Sequence, residues 1–153
     1  MSRENDFITR MQSDATLMAL LTGGAYAAQS LTREGITRET TPNAFDSAGY
    51  LKPCALVRQR GQVADGMVRD GMAQVVSTRQ VVEIYLYCDS SYSPLDTAAA
   101  RIKVLFEGVP FTGTDGSFPV EWLGTRDRLR DTGALNGAPL SIMEFAVYSV
   151  EGD

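Results

Sequence analysis

Residues 79–106, RQVVEIYLYCDSSYSPLDTAAARIKVLF, contain a strand followed by a helix, and this pair determines the fold class. The strand, residues 80–88, is rich in β-branched and aromatic side chains, and both of its alternating faces are largely apolar. A strand that is apolar on both faces is covered on both faces. Because the chain is short, we expect its own domain to cover one face and a neighbouring subunit to cover the other.

The helix that follows has clear boundary signals. Ser93 is a suitable N-cap, Pro94 stands at the first helical position, and Asp96 is placed to complete a capping box with Ser93. Apolar residues then recur at helical spacing as far as Phe106, and Gly108 supplies the stop. The sequence therefore predicts a helix that packs on the sheet.

The remaining elements complete an α+β pattern. Residues 2–22 read as an interrupted helix, and further strands are predicted at 51–60, 117–123 and 140–150. We expect a single domain of residues 1–153. Its fold is predicted to be a mixed or antiparallel β-sheet of about four to five strands, with two main helices packed on one face and a long β-hairpin arm.

Two segments stand outside the regular pattern. Residues 29–50 form an extended loop rich in Thr, Arg and Glu, with a short strand expected at 31–37. Residues 61–78 contain two Asp-Gly steps, which are turn signals, and become a hairpin arm if the flanking strands pair. The tip of this arm would expose Met67, Val68 and Met72. Exposed flexible apolar residues favour docking onto another subunit, with a flexible loop as the alternative.

Composition narrows the class of protein further. The chain has 153 residues, a formal net charge of −5 and a pI near 4.7, which disfavour a protein that grips nucleic acid by its phosphates. Its cysteines, Cys54 and Cys88, lack partners at metal-ligand spacing and are expected to be buried free thiols. The sequence has no apolar run of membrane-spanning length, so we expect a soluble protein made in the cytoplasm.

Catalytic residues are hard to find in this chain. It contains no histidine, which removes the commonest general base, and it has no phosphate-binding glycine loop. Residues 131–134, Asp-Thr-Gly-Ala, resemble the loop of dimeric aspartic proteases, but Arg128 and Arg130 replace the apolar strand that this chemistry requires. We expect no catalytic, cofactor-binding or metal-binding residue, and a small hydrolase of the aspartic-protease type is kept as an alternative.

The segment 125–131, TRDRLRD, alternates in charge and predicts a solvated or interfacial edge. Its interleaved Asp and Arg side chains suggest salt links to a partner subunit. Together with the arm and the aromatic residues of the sheet, it completes the set of interface candidates. These are Met67, Val68, Met72, Tyr85, Tyr87, Trp122, Arg126, Arg128 and Arg130.

The order of elements resembles the tail-terminator (tail-completion) family of long-tailed bacteriophages. The segments that carry the resemblance are SDATLMALLTGGAY (13–26), LKPCALVR (51–58), QVVEIYLY (80–87) with SPLDTAAARIKVLFEG (93–108), and TRDRLRD (125–131) before a closing β segment.

This resemblance implies a structural virion protein without a cofactor, assembled in the host bacterial cytoplasm. The subunit would form a ring, expected to be a hexamer, that caps the tail tube and joins it to the head–tail connector. Genomic DNA would pass through the channel without specific binding. The alternative within the same virion is a head-closure or adaptor protein of the neck.

Overall fold

The computed structural model describes residues 3–31, 35–70, 73–111, 119–133 and 135–152, with the backbone alone for 62–77 and 149–152. The helices in these ranges are α1 (Arg3–Gln12), α2 (Ala15–Leu20) and α3 (Ser93–Phe106). The strands are β1 (Ala25–Ala27), β2 (Cys54–Asp70), β3 (Ala73–Tyr87), β4 (Glu121–Arg130) and β5 (Pro139–Gly152). Short 3-10 turns occupy Ala28–Ser30 and Pro42–Ala44.

The strands form one five-stranded sheet in the order β1-β2-β3-β5-β4. β1 runs parallel to β2, and every other neighbouring pair is antiparallel. β1 and β4 are therefore the two edges. The mixed sheet and its helices confirm the predicted α+β fold class.

The hairpin of β2 and β3 is the longest feature of the sheet. Its pairing runs from Cys54 opposite Tyr87 to Asp70 opposite Ala73, which confirms the predicted hairpin. β5 follows β3 on the other side as far as Gly152 opposite Val75.

The hairpin and the end of β5 extend beyond the core that the helices cover. Among the side chains that the structure describes, those of that core lie no farther along the strands than Val57 on β2, Val82 on β3 and Val147 on β5. The remaining part of β2, residues 58–70, spans about 40 Å at the usual rise of a strand. We call the three-stranded extension, residues 58–81 and 147–152, the arm.

The helices bury the face of β3 that carries Val82, Ile84, Leu86 and Cys88, as the alternation predicts. The helix side of this core contains Phe7, Met11, Leu17, Leu95, Ile102 and Phe106, each fully buried. The rings of Phe7 and Phe106 stack with centroids 4.5 Å apart, which joins α1 to α3.

The opposite face of the sheet is covered in part by the chain itself. Ile36, Ala44 and Leu51 of the extended loop pack over the end of the sheet that includes Tyr87 and Leu140. Tyr87 is only 8% exposed as a result. The prediction that a neighbouring subunit covers this face is wrong at this end, because a sequence pattern shows that a face is buried and not what buries it.

The short strand predicted at 31–37 is not formed by the described residues of that segment; 32–34 lie outside them. The hydroxyls of Thr37 and Thr40 bond to each other at 2.8 Å, and Thr40 Oγ1 donates to the carbonyl of Gly35 at 2.6 Å. These local bonds fold the backbone into a turn and compete with a strand. The short strand in this part of the chain is β1, which lies before the predicted segment and pairs with β2.

Cys54 and Cys88 are free and buried, as predicted. They lie on neighbouring strands but on opposite faces of the sheet, so their sulfurs cannot meet. Burial raises the pKa of the Cys54 thiol to about 12, which keeps it protonated and unreactive.

The start of α3 differs from the prediction by one residue. The N-cap is Tyr92 and makes no capping bond from its side chain, so Ser93 is already helical. Asp96 does not complete the capping box with an N-cap Ser93, because its carboxylate is engaged by Arg128 of β4.

The Asp14 side chain links α2 to α3. Its carboxylate caps α2 by accepting from the Leu17 N–H at 2.9 Å, and it receives two bonds from Arg101 of α3 at 2.8 and 2.7 Å. The hydrogen bond from Arg101 is the main cause that lowers the pKa of Asp14. The ionised carboxylate therefore stabilises the folded state above its unfolded pKa, roughly 3.9, and this contribution is lost as the pH falls through the folded pKa.

Replacing Asp14 by Asn, which keeps the cap but not the charge, should lower the stability at neutral pH. The deficit relative to the unsubstituted protein should shrink as the pH falls below about 4, the unfolded pKa of Asp, toward the lower folded pKa of Asp14. Urea unfolding at the two pH values measures it. Asp89→Asn is the matched control, because Asp89 is exposed and has no described ion pair or hydrogen bond; an equal pH dependence in both variants would contradict the assignment.

Candidate assembly surface

Arg126 bridges two carboxylates on the sheet face opposite the helices. Glu83 of β3 and Glu144 of β5 stand directly opposite each other, an arrangement that is unfavourable for like charges. Arg126 Nη2 lies 3.4 Å from Glu83 Oε2 and 3.2 Å from Glu144 Oε1. Because Glu83 is only 4% exposed, this bridge holds the edge strand β4 across β5 to the centre of the sheet.

Further polar groups surround this bridge. Arg60 Nε lies 3.9 Å from Glu83 Oε1, and the Tyr85 hydroxyl donates to the same oxygen at 3.0 Å. The Arg58 guanidinium lies 5.4 Å from the Tyr85 ring centroid. Burial, followed by the bond to Glu83, raises the pKa of Tyr85. We call this set the polar strip: Arg58, Arg60, Glu83, Tyr85, Arg126 and Glu144, which line an open concavity of about 520 Å³.

Arg128 occupies a strained position on β4. Its φ of 58° lies in the left-handed region, next to the bulge between Arg126 and Leu129. Its guanidinium makes two bonds to Asp96 at 3.2 and 3.0 Å and lies 4.9 Å from the Tyr92 ring centroid. The bonds to Asp96 of α3 thus stabilise the left-handed conformation of Arg128 within the same chain.

The arginines of this segment have partners within the chain. The described ion pairs of Arg126 and Arg128 are made to residues of the same chain, and salt links to a partner subunit stay a prediction. Arg130 also stays local, donating to the Gly137 carbonyl at 2.9 Å. The sequence showed the alternating charges but not the register of the strands, and the register is what brings Glu83 and Glu144 to Arg126.

The aromatic candidates are engaged as well. Trp122 packs against the helix-side core, its indole N–H donates to Thr125 Oγ1 at 3.1 Å, and Lys103 Nζ lies 3.8 Å from its ring centroid. Tyr87 is buried, whereas Tyr85 is part-exposed. An interface role for these residues stays a prediction. Changing Tyr85 would also remove a bond to buried Glu83, so it is a poor reporter of assembly alone.

The arm candidates fall into two groups. Met67 and Val68 lie on β2 within the arm, where their backbones pair with Val76 and Val75. Met72 lies outside the described residues. The structure therefore places the backbones of the first two on the arm, and their part in docking stays a prediction.

The protease-like loop has a local structural role. Asp131 accepts hydrogen bonds from the backbone N–H groups of Gly133 and Leu135, at 3.1 and 2.9 Å, and so closes its own turn. A groove of about 580 Å³ lies between this turn and the extended loop, where Arg38 donates to the Gly49 carbonyl. Within the described residues, no three His, Cys, Asp or Glu side chains are grouped as metal ligands. In the same ranges, no helix has the length and apolar character needed to cross a membrane.

The fold is that of an α+β domain whose sheet is covered by helices on one face and extended at one end by an arm. No family model matches the sequence, and no curated protein matches it. A chain in the solved structure of the virion of a native gene transfer agent (GTA) particle is similar, with a TM-score of 0.54 and 14% identity. The match covers 94% of this chain and 91% of that chain, so the two share a fold over nearly their whole lengths.

Proposed function

We propose that this protein is a structural virion subunit, a tail terminator that forms a ring on the end of the tail tube. The observation that carries the proposal is the likeness over nearly the full length of both chains to a chain of a phage-like particle. The resemblance of residues 13–26, 51–58 and 80–108 to tail terminators points in the same direction.

The arm supports a role in assembly. It extends three paired strands beyond the described side chains of the helix-covered core. A small sheet needs a layer packed against it for independent stability, and a neighbouring subunit in a ring would supply such a layer. The ring, expected to be a hexamer, would join the tail tube on one side and the head–tail connector on the other.

The charge distribution supports passage of DNA without binding. The chain is acidic overall, and two of the arginines on the polar strip, Arg60 and Arg126, are paired with carboxylates. Arginines that are already paired have little charge left to displace counterions from DNA. Counterion release supplies most of the non-specific affinity of proteins for DNA. We propose no catalytic step, cofactor or metal for this protein, and place it in the tail or neck of the virion.

The alternatives gain little from the described contacts. An extended loop of this length would suit a head-closure or adaptor protein if it were free to contact a partner, but its residues Ile36, Ala44 and Leu51 pack on the chain's own sheet. The small hydrolase relied on Asp131, whose carboxylate closes a turn.

Sedimentation velocity and negative-stain microscopy of the purified protein, alone and with tail tube protein, test the proposal. We expect rings, and we expect tube polymerisation to stop when the protein binds the growing end. A neck protein would bind capped tubes without limiting their length. A protein that stays monomeric at all concentrations, with and without tube, would rule out the ring.

A further inference from the structure

Arg58 differs from the other arginines of the polar strip, because no carboxylate among the described residues pairs with it. Arg60 and Arg126 both lie within ion-pair distance of Glu83. The exposed Arg58 guanidinium instead lies 5.4 Å from the centroid of the Tyr85 ring. A cation–π contact of this kind leaves the N–H groups of the guanidinium available to an acceptor. Arg58 therefore offers unused donors at the concavity.

The polar strip carries an excess of positive charge in a chain that is acidic overall. Its concavity is lined by three arginines and two glutamates, whereas the net charge of the chain is −5. A carboxylate that entered the concavity would balance these charges and would receive charge-assisted hydrogen bonds from a guanidinium. The concavity thus has the chemistry of a receptor for an acidic side chain.

The extended loop presents an acidic side chain of the complementary kind. A tight turn in this loop is fixed by Thr37 and Thr40, since each hydroxyl accepts from the backbone N–H of the other residue at 3.0 Å. Arg38, within the turn, donates to the Gly49 carbonyl. Glu39, the next residue, is exposed and makes no described ion pair or hydrogen bond. Its carboxylate is therefore presented on an ordered support, which reduces the entropy lost on binding.

Glu39 and Arg58 do not meet within one subunit. Glu39 lies beside the groove at the end of the sheet, together with Asp89, which follows β3. At this end Cys54 of β2 pairs with Tyr87, the last residue of β3. Arg58 lies about 13 Å farther along β2 than Cys54, at the usual rise of a strand. A pair between the two unused charges therefore requires two copies of the chain.

We propose that Glu39 of one copy enters the polar strip of the next copy and pairs with Arg58. This inference rests on the proposed function and names one contact of the ring. The contact is heterologous, because the loop of one copy meets the sheet of its neighbour, and such contacts repeat around a ring when the rotation closes. A charge pair fixes the alignment of two surfaces more than it adds affinity. The arm would supply further contact area.

Charge reversal tests the pairing, with sedimentation equilibrium at low salt as the measurement, in the presence and absence of tail tube protein. Arg58→Glu and Glu39→Arg should each weaken self-association about tenfold or more, because each places like charges together. The variant with both changes restores opposite charges and should recover most of the lost affinity. Asp127→Arg is the matched control, since it makes the same change of charge at an exposed carboxylate of β4 and should have no such effect.

Thiol crosslinking is the second measurement, and it stays available if Arg58→Glu impairs folding. A mixture of the single variants Glu39→Cys and Arg58→Cys, treated with a short bismaleimide, should give covalent dimers. Each variant alone should give none, because the proposed contact joins two different surfaces. The native cysteines are buried and should not react.

The outcomes separate the pairing from the proposed ring. Normal self-association of both reversed variants, with no crosslinked dimer in the mixture, would overturn the pairing and leave the ring intact. Weaker association of Arg58→Glu but not of Glu39→Arg would assign the strip to another surface and overturn the pairing. An equal loss in Asp127→Arg would show an effect of net charge and would also overturn it. If Arg58→Glu abolished only the binding of tube protein, the occupant would be the tube and not a second copy. Monomers of the unsubstituted protein under all conditions would overturn the pairing and the proposed function together.

Discussion

A subunit with a shortened arm is expected to fold but not to assemble. Replacing residues 65–77 by Asn-Gly would join Ala64 to Thr78, which are opposite each other, through a turn suited to a two-residue hairpin. The helix-side core is retained, because its described strand residues lie outside the replaced segment and reach only as far as Val57, Val82 and Val147. The variant removes the outer part of β2 and β3, and the end of β5 loses the β3 residues with which it pairs. Self-association measured by sedimentation should therefore be lost, while circular dichroism and the unfolding transition remain those of a folded domain.

The contribution of the arm's backbone to assembly can be separated from that of its apolar side chains. A full-length variant with Met67→Ser and Val68→Thr keeps the backbone edge but removes the exposed apolar groups predicted from the sequence. If backbone pairing joins the subunits, this variant should still associate, with weaker affinity. Rings formed normally by the shortened protein would show that the arm has no role in assembly.

Loss of the Glu4 carboxylate is expected to destabilise the fold strongly. Glu4 is 6% exposed, and its two oxygens accept from the backbone N–H groups of Gln29 and Gln59, each at 2.9 Å. Removing the acceptor leaves these donors without it, and a hydrogen bond to a charged group contributes about 1.5–3 kcal/mol. Glu4→Ala should therefore lower the free energy of unfolding by about 3 kcal/mol.

Asp6→Ala on the same helix is the matched control. Asp6 is part-buried and pairs with Arg3 at 3.2 Å on the same face of α1, and ion pairs between residues one turn apart on a helix contribute at most about 1 kcal/mol. The free energy of unfolding of Glu4→Gln should be close to that of Glu4→Ala. The amide nitrogen of Gln is a donor, and it would face one of the two backbone N–H groups, which is also a donor. Denaturant unfolding at neutral pH measures all three variants, and an equal effect of the Glu4 and Asp6 substitutions would contradict the assigned role.

The sequence could predict those parts of the fold that depend on local periodicity. The alternation in residues 80–88 identified both faces of β3, and the apolar spacing after Pro94 identified the inner face of α3. The Asp70-Gly71 step and its flanking strands identified the hairpin, whereas the Asp65-Gly66 step, also read as a turn signal, lies within β2 at a bulge. Each of these signals lies within or next to the element that it predicts.

The features that the sequence did not reveal depend on contacts between distant segments. Glu83 was visible as a charge in an apolar strand, but its partners Arg126 and Glu144 arrive only through the order of the sheet. The left-handed Arg128 had no signal, since a bulge follows from register and not from composition. The cover of Tyr87 by the extended loop was likewise hidden, because that loop has no periodicity to read.

The bond between Glu4 and the Gln59 N–H has a consequence for the accuracy of assembly. It occupies the Gln59 N–H, a backbone donor of β2 that lies two residues beyond the last residue paired with β1. If a strand from a neighbour paired with β2, it could not slide past this point, because the donor it would need is already taken by a helix. The same carboxylate that ties α1 to the sheet would thus act as an end stop, fixing where one subunit is aligned against the next.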